Sequence, residues 1–270
     1  MTMLETRAPA KVRSGRAPLG STWVGVLMGR IAVGLVILAL WQVVADRGLI
    51  SPMISRTPGE VFGALLRLSS DGTLWPALVS TVSATLIALV LAAVVGITIG
   101  LALGLMPRFN RLIDPYLNAV NAMPRIALAP VLIVYFGIGQ SGKVALAFSI
   151  VVFVLIINTQ AGVRAVDREL VVLSRTMGMS RLQMVRKIVL PSAVPSIFAG
   201  LRLGMIYALL GVVASELIAA EIGLGQLIAG FAGSYDMASA YAVMIVLAVL
   251  GALVNYTMST VESHLLKWQT

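Results

Sequence analysis

Few side chains in this 270-residue chain have the type and spacing to do chemistry. Residues 137–144 read GIGQSGKV, which fits the G-x-G-x-x-G spacing of a phosphate-cradling loop and nearly fits G-x-x-x-x-G-K-[ST]. The second pattern needs a hydroxyl after Lys143 to hold Mg²⁺, and Val144 has none. Both patterns also need a strand before the glycines, and here the flanking segments read as apolar helices. The stretch is expected to be a tight extracytoplasmic turn, so any ATP hydrolysis belongs to another chain. His264 is the only histidine and there is no cysteine, so no metal site and no catalytic triad can be assembled. The chain is expected not to be an enzyme and to hold no cofactor of its own.

The remaining polar candidates sit inside apolar runs, where an ionisable or amide group is a functional hypothesis by default. Arg125 lies between Pro124 and Pro130, whose rings break the backbone ladder. Such breaks either line a transport pathway or are ordinary packing kinks. Arg125 is placed at a membrane interface, with a pathway cation as the alternative. Asn158, Gln160, Ser215 and Glu216 complete the set, with Glu216 expected near the outer surface, where solvation competes with a pathway role.

These residues must be positioned by membrane-spanning helices. Hydrophobic residues make up 59% of the chain and charged residues 11%, and the mean hydropathy is +0.98, a balance found in integral membrane proteins. No charge occurs between Asp71 and Arg108, between Lys143 and Arg164, or between Asp236 and Glu262. A spanning helix needs about 20 apolar residues. Six spans are expected, at 23–45, 77–106, 116–137, 144–163, 196–220 and 238–262, giving an all-α membrane fold. The first is read as an uncleaved anchor rather than a signal peptide, because its apolar run exceeds an h-region. Residues 1–22, rich in Ala, Pro, Gly, Ser and Arg, read as a disordered basic tail. Gly96, Gly100 and Gly104 form a stripe that lets backbones approach, within the chain or at a dimer seam.

The net charge of +9 fits inner loops and anionic lipid rather than nucleic acid. With both termini cytoplasmic, fourteen Lys and Arg residues fall on inner segments and four (Arg47, Arg56, Arg67, Lys143) on outer ones. That asymmetry sets the expected orientation, with His264 at the cytoplasmic end of the last span. The longest inner loop is then 164–195.

That loop reads as two short helices. Asp167 caps the first, with Glu169 in its first turn and Leu170, Leu173 and Met177 at helical spacing. Gly178 suits the left-handed residue that ends a helix. Ser180 and Gln183 have the spacing of a capping box, Met179 and Met184 that of a hydrophobic staple. Leu182, Val185, Ile188 and Val189 give the second helix an apolar face, and Pro191 is expected to stop it. Periodicity alone leaves two readings open: an interfacial helix against lipid, or a docking element for a partner protein.

The spacing Gly178, Ile188, Leu190, Pro191 resembles the loop of bacterial ABC importer permeases that reads E-A-A-x3-G-x9-I-x-L-P. Every specified position from Gly178 to Pro191 matches, whereas the E-A-A slot holds Val172, Leu173 and Ser174. The runs MPRIALAPVLIVYFGIGQSGK (123–143) and PSAVPSIFAGLRLGMIYALLGVVASELIAAEIGLGQLI (191–228), with the six-span layout, resemble the nitrate/sulfonate/taurine branch over roughly residues 81–256. The resemblance implies a type I importer permease that homodimerises in the bacterial inner membrane. It implies that Val172, Leu173, Ser174, Arg175, Met177, Gly178, Met179, Ser180, Arg181, Leu182 and Pro191 couple to two copies of a cytoplasmic ATPase, which binds ATP and Mg²⁺. It further implies an extracytoplasmic binding protein that delivers a small anion such as a sulfonate, taurine or nitrate, and a short outer helix within 219–236 that caps the path. The alternative is an ion-coupled secondary carrier, which should show inverted repeats or acids deep in its spans; none is evident in the first four.

Overall fold

The computed structural model describes residues 23–265 other than Leu49 and Pro52, so the basic tail at 1–22 lies outside the described residues. These residues form helices with no strand among them. Two compact units are present, one up to Pro58 and one from Gly59 onward. The first unit holds α1 (Trp23–Asp46), whose Trp41 indole N–H donates to the Arg56 carbonyl at 2.9 Å and ties back the segment that follows the helix.

The second unit is built around α6 (Gln140–Arg164), packed between α3 (Leu74–Leu105) and α9 (Leu190–Ile218). Lipid tails are as apolar as leucine, so association between spans depends on close packing rather than on expulsion of water. The glycine stripe is spent here. A Cβ on Gly96, Gly100 or Gly104 would meet the Cβ of Leu155, Thr159 or Val163 of α6 at 2.7, 2.7 and 2.6 Å. From the other side, Gly200 faces Asn158 and Gly211 faces Ala147. Of the two places open to the stripe, its place is within the chain. At 32 residues, α3 is about 48 Å long, well beyond a bilayer core.

Three expected boundaries move for identifiable reasons. The segment at 116–137 is not one helix. It is α4 (Pro107–Ala122), a 3₁₀ turn at Arg125–Leu128 and α5 (Ala129–Phe136), bent by 78°. Met123 is extended because it precedes a proline, and Pro124 has no N–H to continue the ladder. The helix expected at 144–163 begins at Gln140, which draws Lys143 off the outer turn and into α6. Pro191 does not stop the second loop helix. That helix, α8 (Arg181–Met184), passes through a π turn at Val185–Val189 directly into α9. The widened turn shifts bonding to five residues, with the Leu190 N–H on the Val185 carbonyl, so that Pro191 enters at the first turn of α9, where its missing donor is tolerated.

The remaining elements are α2 (Pro58–Ser70), α7 (Arg168–Thr176), α10 (Leu224–Gly233) and α11 (Met237–Leu265). His264 is exposed in the last turn of α11.

Gly100→Leu should lower unfolding stability in detergent by about 1–3 kcal/mol through overpacking against α6. Gly63→Ala in α2, where nothing lies within 4 Å of the added carbon, should leave the denaturation midpoint level or slightly raised.

Candidate functional site

The elbow at 164–195 is held by local bonds. Asp167 Oδ1 accepts from the Glu169 N–H at 2.8 Å and starts α7. Gly178, at φ +73°, ends it. The Gly178 N–H donates to the Arg175 carbonyl and the Met179 N–H to the Ser174 carbonyl, both at 3.0 Å, the paired bonds of a Schellman stop. Ser180 and Gln183 then cap α8 reciprocally, at 3.3 and 2.9 Å.

Val189 is 3% exposed and packs with Val163, Ala193 and Ile197, and Met184 joins that cluster. The elbow's root is therefore fixed to α6 and α9, while its outer face is greasy: Val172, Leu173, Met177 and Leu182 are all exposed. Beside them is a cleft of about 570 Å³ between Asp167, Glu169, Leu170, Val172, Leu173 and Thr176. Arg175, Ser180 and Arg181 are exposed on the same segment, and Met179 is half-buried. Ser174 differs: it is buried, with its hydroxyl donating to the Val171 carbonyl at 2.8 Å, so it braces α7.

The pathway candidates separate into three groups. Arg125 and Asn158 share a cleft of about 530 Å³ with Asn121 and Tyr207. Arg125 lies against the middle of α6 rather than beside its end. Its Nη1 donates to the Ser149 and Ile150 carbonyls at 2.7 and 3.0 Å, and these are mid-length residues of α6. Nη2 donates to Asn121 Oδ1 at 3.0 Å, and the guanidinium lies 4.0 Å from the centroid of the Phe153 ring, a cation–π distance. Pro124 forms the break that lets the chain turn Arg125 toward α6.

Gln160 stands apart from this cleft. Its amide donates to Asn110 Oδ1, and the buried pair ties α4 to α6. Ser215 and Glu216 belong to the opposite end of the bundle from the elbow. Ser215 is buried, and its hydroxyl has no partner among the described residues. Glu216 is 1% exposed rather than solvated. Lys143 Nζ donates to Glu216 Oε1 at 3.0 Å, to Ser80 Oγ at 2.6 Å and to the Ile222 carbonyl at 2.6 Å. The Thr81 hydroxyl and the Gly225 N–H complete the carboxylate's shell, both at 2.9 Å. A Cβ on Gly223 would overlap the Glu216 carboxyl group, so only glycine lets this loop close over the pair. α3, α6, α9 and the start of α10 are thus joined at one ionic point. Lys143, Thr81, Asn110, Asn121 and Tyr207 are site residues that the sequence reading missed.

Residues 92–267 match the family described as binding-protein-dependent transport system inner membrane component. The chain belongs to that family. The permease is 36% identical over 239 residues to a putative aliphatic sulfonates transport permease of Escherichia coli, covering 88% of this chain and 90% of that one. It is 31% identical to the taurine transport permease of the same organism, covering 94% and 92%. It is 34% identical to a riboflavin transport permease of Chloroflexus aurantiacus, covering 87% and 88%. In fold it resembles a chain of an inward-facing methionine ABC transporter, with a TM-score of 0.65 at 19% identity, covering 73% of this chain and 97% of that one.

The permease is therefore the multi-pass inner-membrane component of a binding-protein-dependent ABC importer. Family membership favours the ATP-driven importer over the ion-coupled carrier.

Lys143→Met leaves a buried carboxylate without its counter-charge and should lower unfolding stability by about 3–5 kcal/mol. Lys143→Met/Glu216→Leu should lose less than the sum of its single variants in a double-mutant cycle of denaturation in detergent.

Proposed function

We propose that the elbow at 164–195 is the seat of a cytoplasmic ATPase, and that its displacement reorients α9. The reading rests on one observation: an exposed apolar elbow, capped at each joint, continues without a break into a long helix packed on α6. Val172, Leu173, Met177 and Leu182 supply the contact surface, Arg175 and Arg181 its charges, and Gly178, Met179 and Ser180 its fixed angle. Ser174 braces α7 from beneath, and Pro191 lies at the joint with α9. The E-A-A slot offers no acid, so contact there is apolar.

In the working assembly two copies of this permease pair around the pathway, with both termini cytoplasmic and an ATPase on each elbow. ATP and Mg²⁺ bind between the ATPase subunits. An extracytoplasmic binding protein delivers the solute at the end that carries Lys143 and Glu216, where α10 covers the path. Relatives are named for aliphatic sulfonates, taurine and riboflavin; the arginine of the cleft beside α6 favours, among these, a solute with an anionic sulfonate head. Two stable arrangements of a packed bundle, biased by nucleotide at a distant subunit, are sufficient for alternating access.

Gly178→Pro cannot adopt φ +73° and removes the N–H given to Arg175. It should abolish co-purification with the ATPase while the detergent-solubilised permease keeps its helical content and melting midpoint. Unchanged assembly would contradict the coupling role.

A further inference from the structure

Among the described residues Arg125 is a cation without a counter-ion. Its two carbonyl acceptors are the tenth and eleventh residues of the 25-residue α6, which places it about 15 Å from the Gln140 end. No carboxylate among the described residues pairs with it; the ion pairs present join Lys143 to Glu216, Arg164 to Asp114 and Arg202 to Glu262. Backbone carbonyls, Asn121 and the Phe153 ring solvate the guanidinium with dipoles, yet they leave a full positive charge at mid-span, where charge is expensive.

The cleft that Arg125 lines has two further features. Asn158 has spent one amide hydrogen on the Val154 carbonyl at 2.8 Å and keeps a second donor. Tyr207 carries a hydroxyl unbonded among the described residues. Ile150, Val154, Ile157 and Leu203 make the remaining wall apolar. A volume of about 530 Å³ is in the range of small-molecule sites, which combine apolar walls with a few convergent polar groups.

Resting on the permease reading above, we propose that this cleft is a solute site within the membrane, built for an organic monoanion with a short apolar body. Both Nη1 hydrogens are on the Ser149 and Ile150 carbonyls and Nη2 is on Asn121 and, at 3.5 Å, the Val120 carbonyl, so the guanidinium offers a sulfonate or carboxylate head its charge and its Nε–H, and Asn158 and Tyr207 donate to the head's remaining oxygens. The aliphatic wall takes the body. Nitrate fills the charge requirement but leaves the wall empty, and a cation meets repulsion. Arg125 therefore selects for charge sign after the binding protein has released its cargo.

The test is equilibrium binding of radiolabelled 1-pentanesulfonate to the permease–ATPase complex in nanodiscs of zwitterionic lipid. Saturable binding is expected, competed by unlabelled pentanesulfonate, weakly by nitrate, and not by pentylammonium or 1-pentanol. Arg125→Gln should weaken it at least about tenfold, the loss of one charge-assisted contact. Because Arg125 also braces α6, Ile157→Trp provides an independent arm: it fills the cleft and should abolish binding with the melting midpoint unchanged. Non-saturable binding, equal binding to Arg125→Gln or Ile157→Trp, or competition by pentylammonium or pentanol would overturn the proposal. Co-purification of the wild-type chain with the ATPase reports separately on the permease reading, so an assembled complex that binds no pentanesulfonate eliminates the anion site alone.

Discussion

The close approach of α3 and α9 to α6 is the constraint on which the other features depend. Inside a bilayer there is no hydrophobic gain from pressing one leucine face on another, so contact must come from backbones brought near enough for dispersion to act. Gly96, Gly100 and Gly104 do this from one side, Gly200 and Gly211 from the other. Every functional feature is attached to the helix so gripped. The elbow's root packs on Val163 near one end of α6. Arg125 hangs from carbonyls at its middle. Lys143 anchors the opposite end to Glu216.

This arrangement gives the permease a mechanical logic. The elbow is fixed to α9 through a continuous helix, so in the proposed coupling a displacement at α8 is delivered to α9 rather than absorbed in a hinge. The π turn makes the joint continuous: it accommodates Pro191 without a break. At the far end the Lys143–Glu216 pair fixes α9 and the following loop to α3 and α6. Between these fixed ends lies the Arg125 cleft, against α6 and α9.

What could be read from the sequence was local. The uncharged stretches announced α3, α6 and α11, and the caps at Asp167, Gly178 and Ser180 are written within a few residues of the bonds they make. What could not be read was pairing at a distance. Lys143 and Glu216 are 73 positions apart, each beside a span end, and each alone looks like a solvated rim charge. Arg125 misled for the same reason: its depth depends on which carbonyls it meets on α6, which its proline neighbours do not specify. Pro191 misled because a proline after an apolar run ordinarily ends a helix, and the π turn that removes the conflict has no sequence sign of its own.

The coupling claim is tested most directly at Leu182, which is 76% exposed at the tip of the elbow. The chain has no native cysteine, so Leu182→Cys takes a single spin label. On assembly with the ATPase in nanodiscs the label should become immobilised and inaccessible to a water-soluble relaxing agent, whereas a label at Val134, 84% exposed on α5, should be unaffected. A Leu182 label that stays mobile in the assembled complex, or that responds only to a lipid-soluble relaxing agent, would contradict the account.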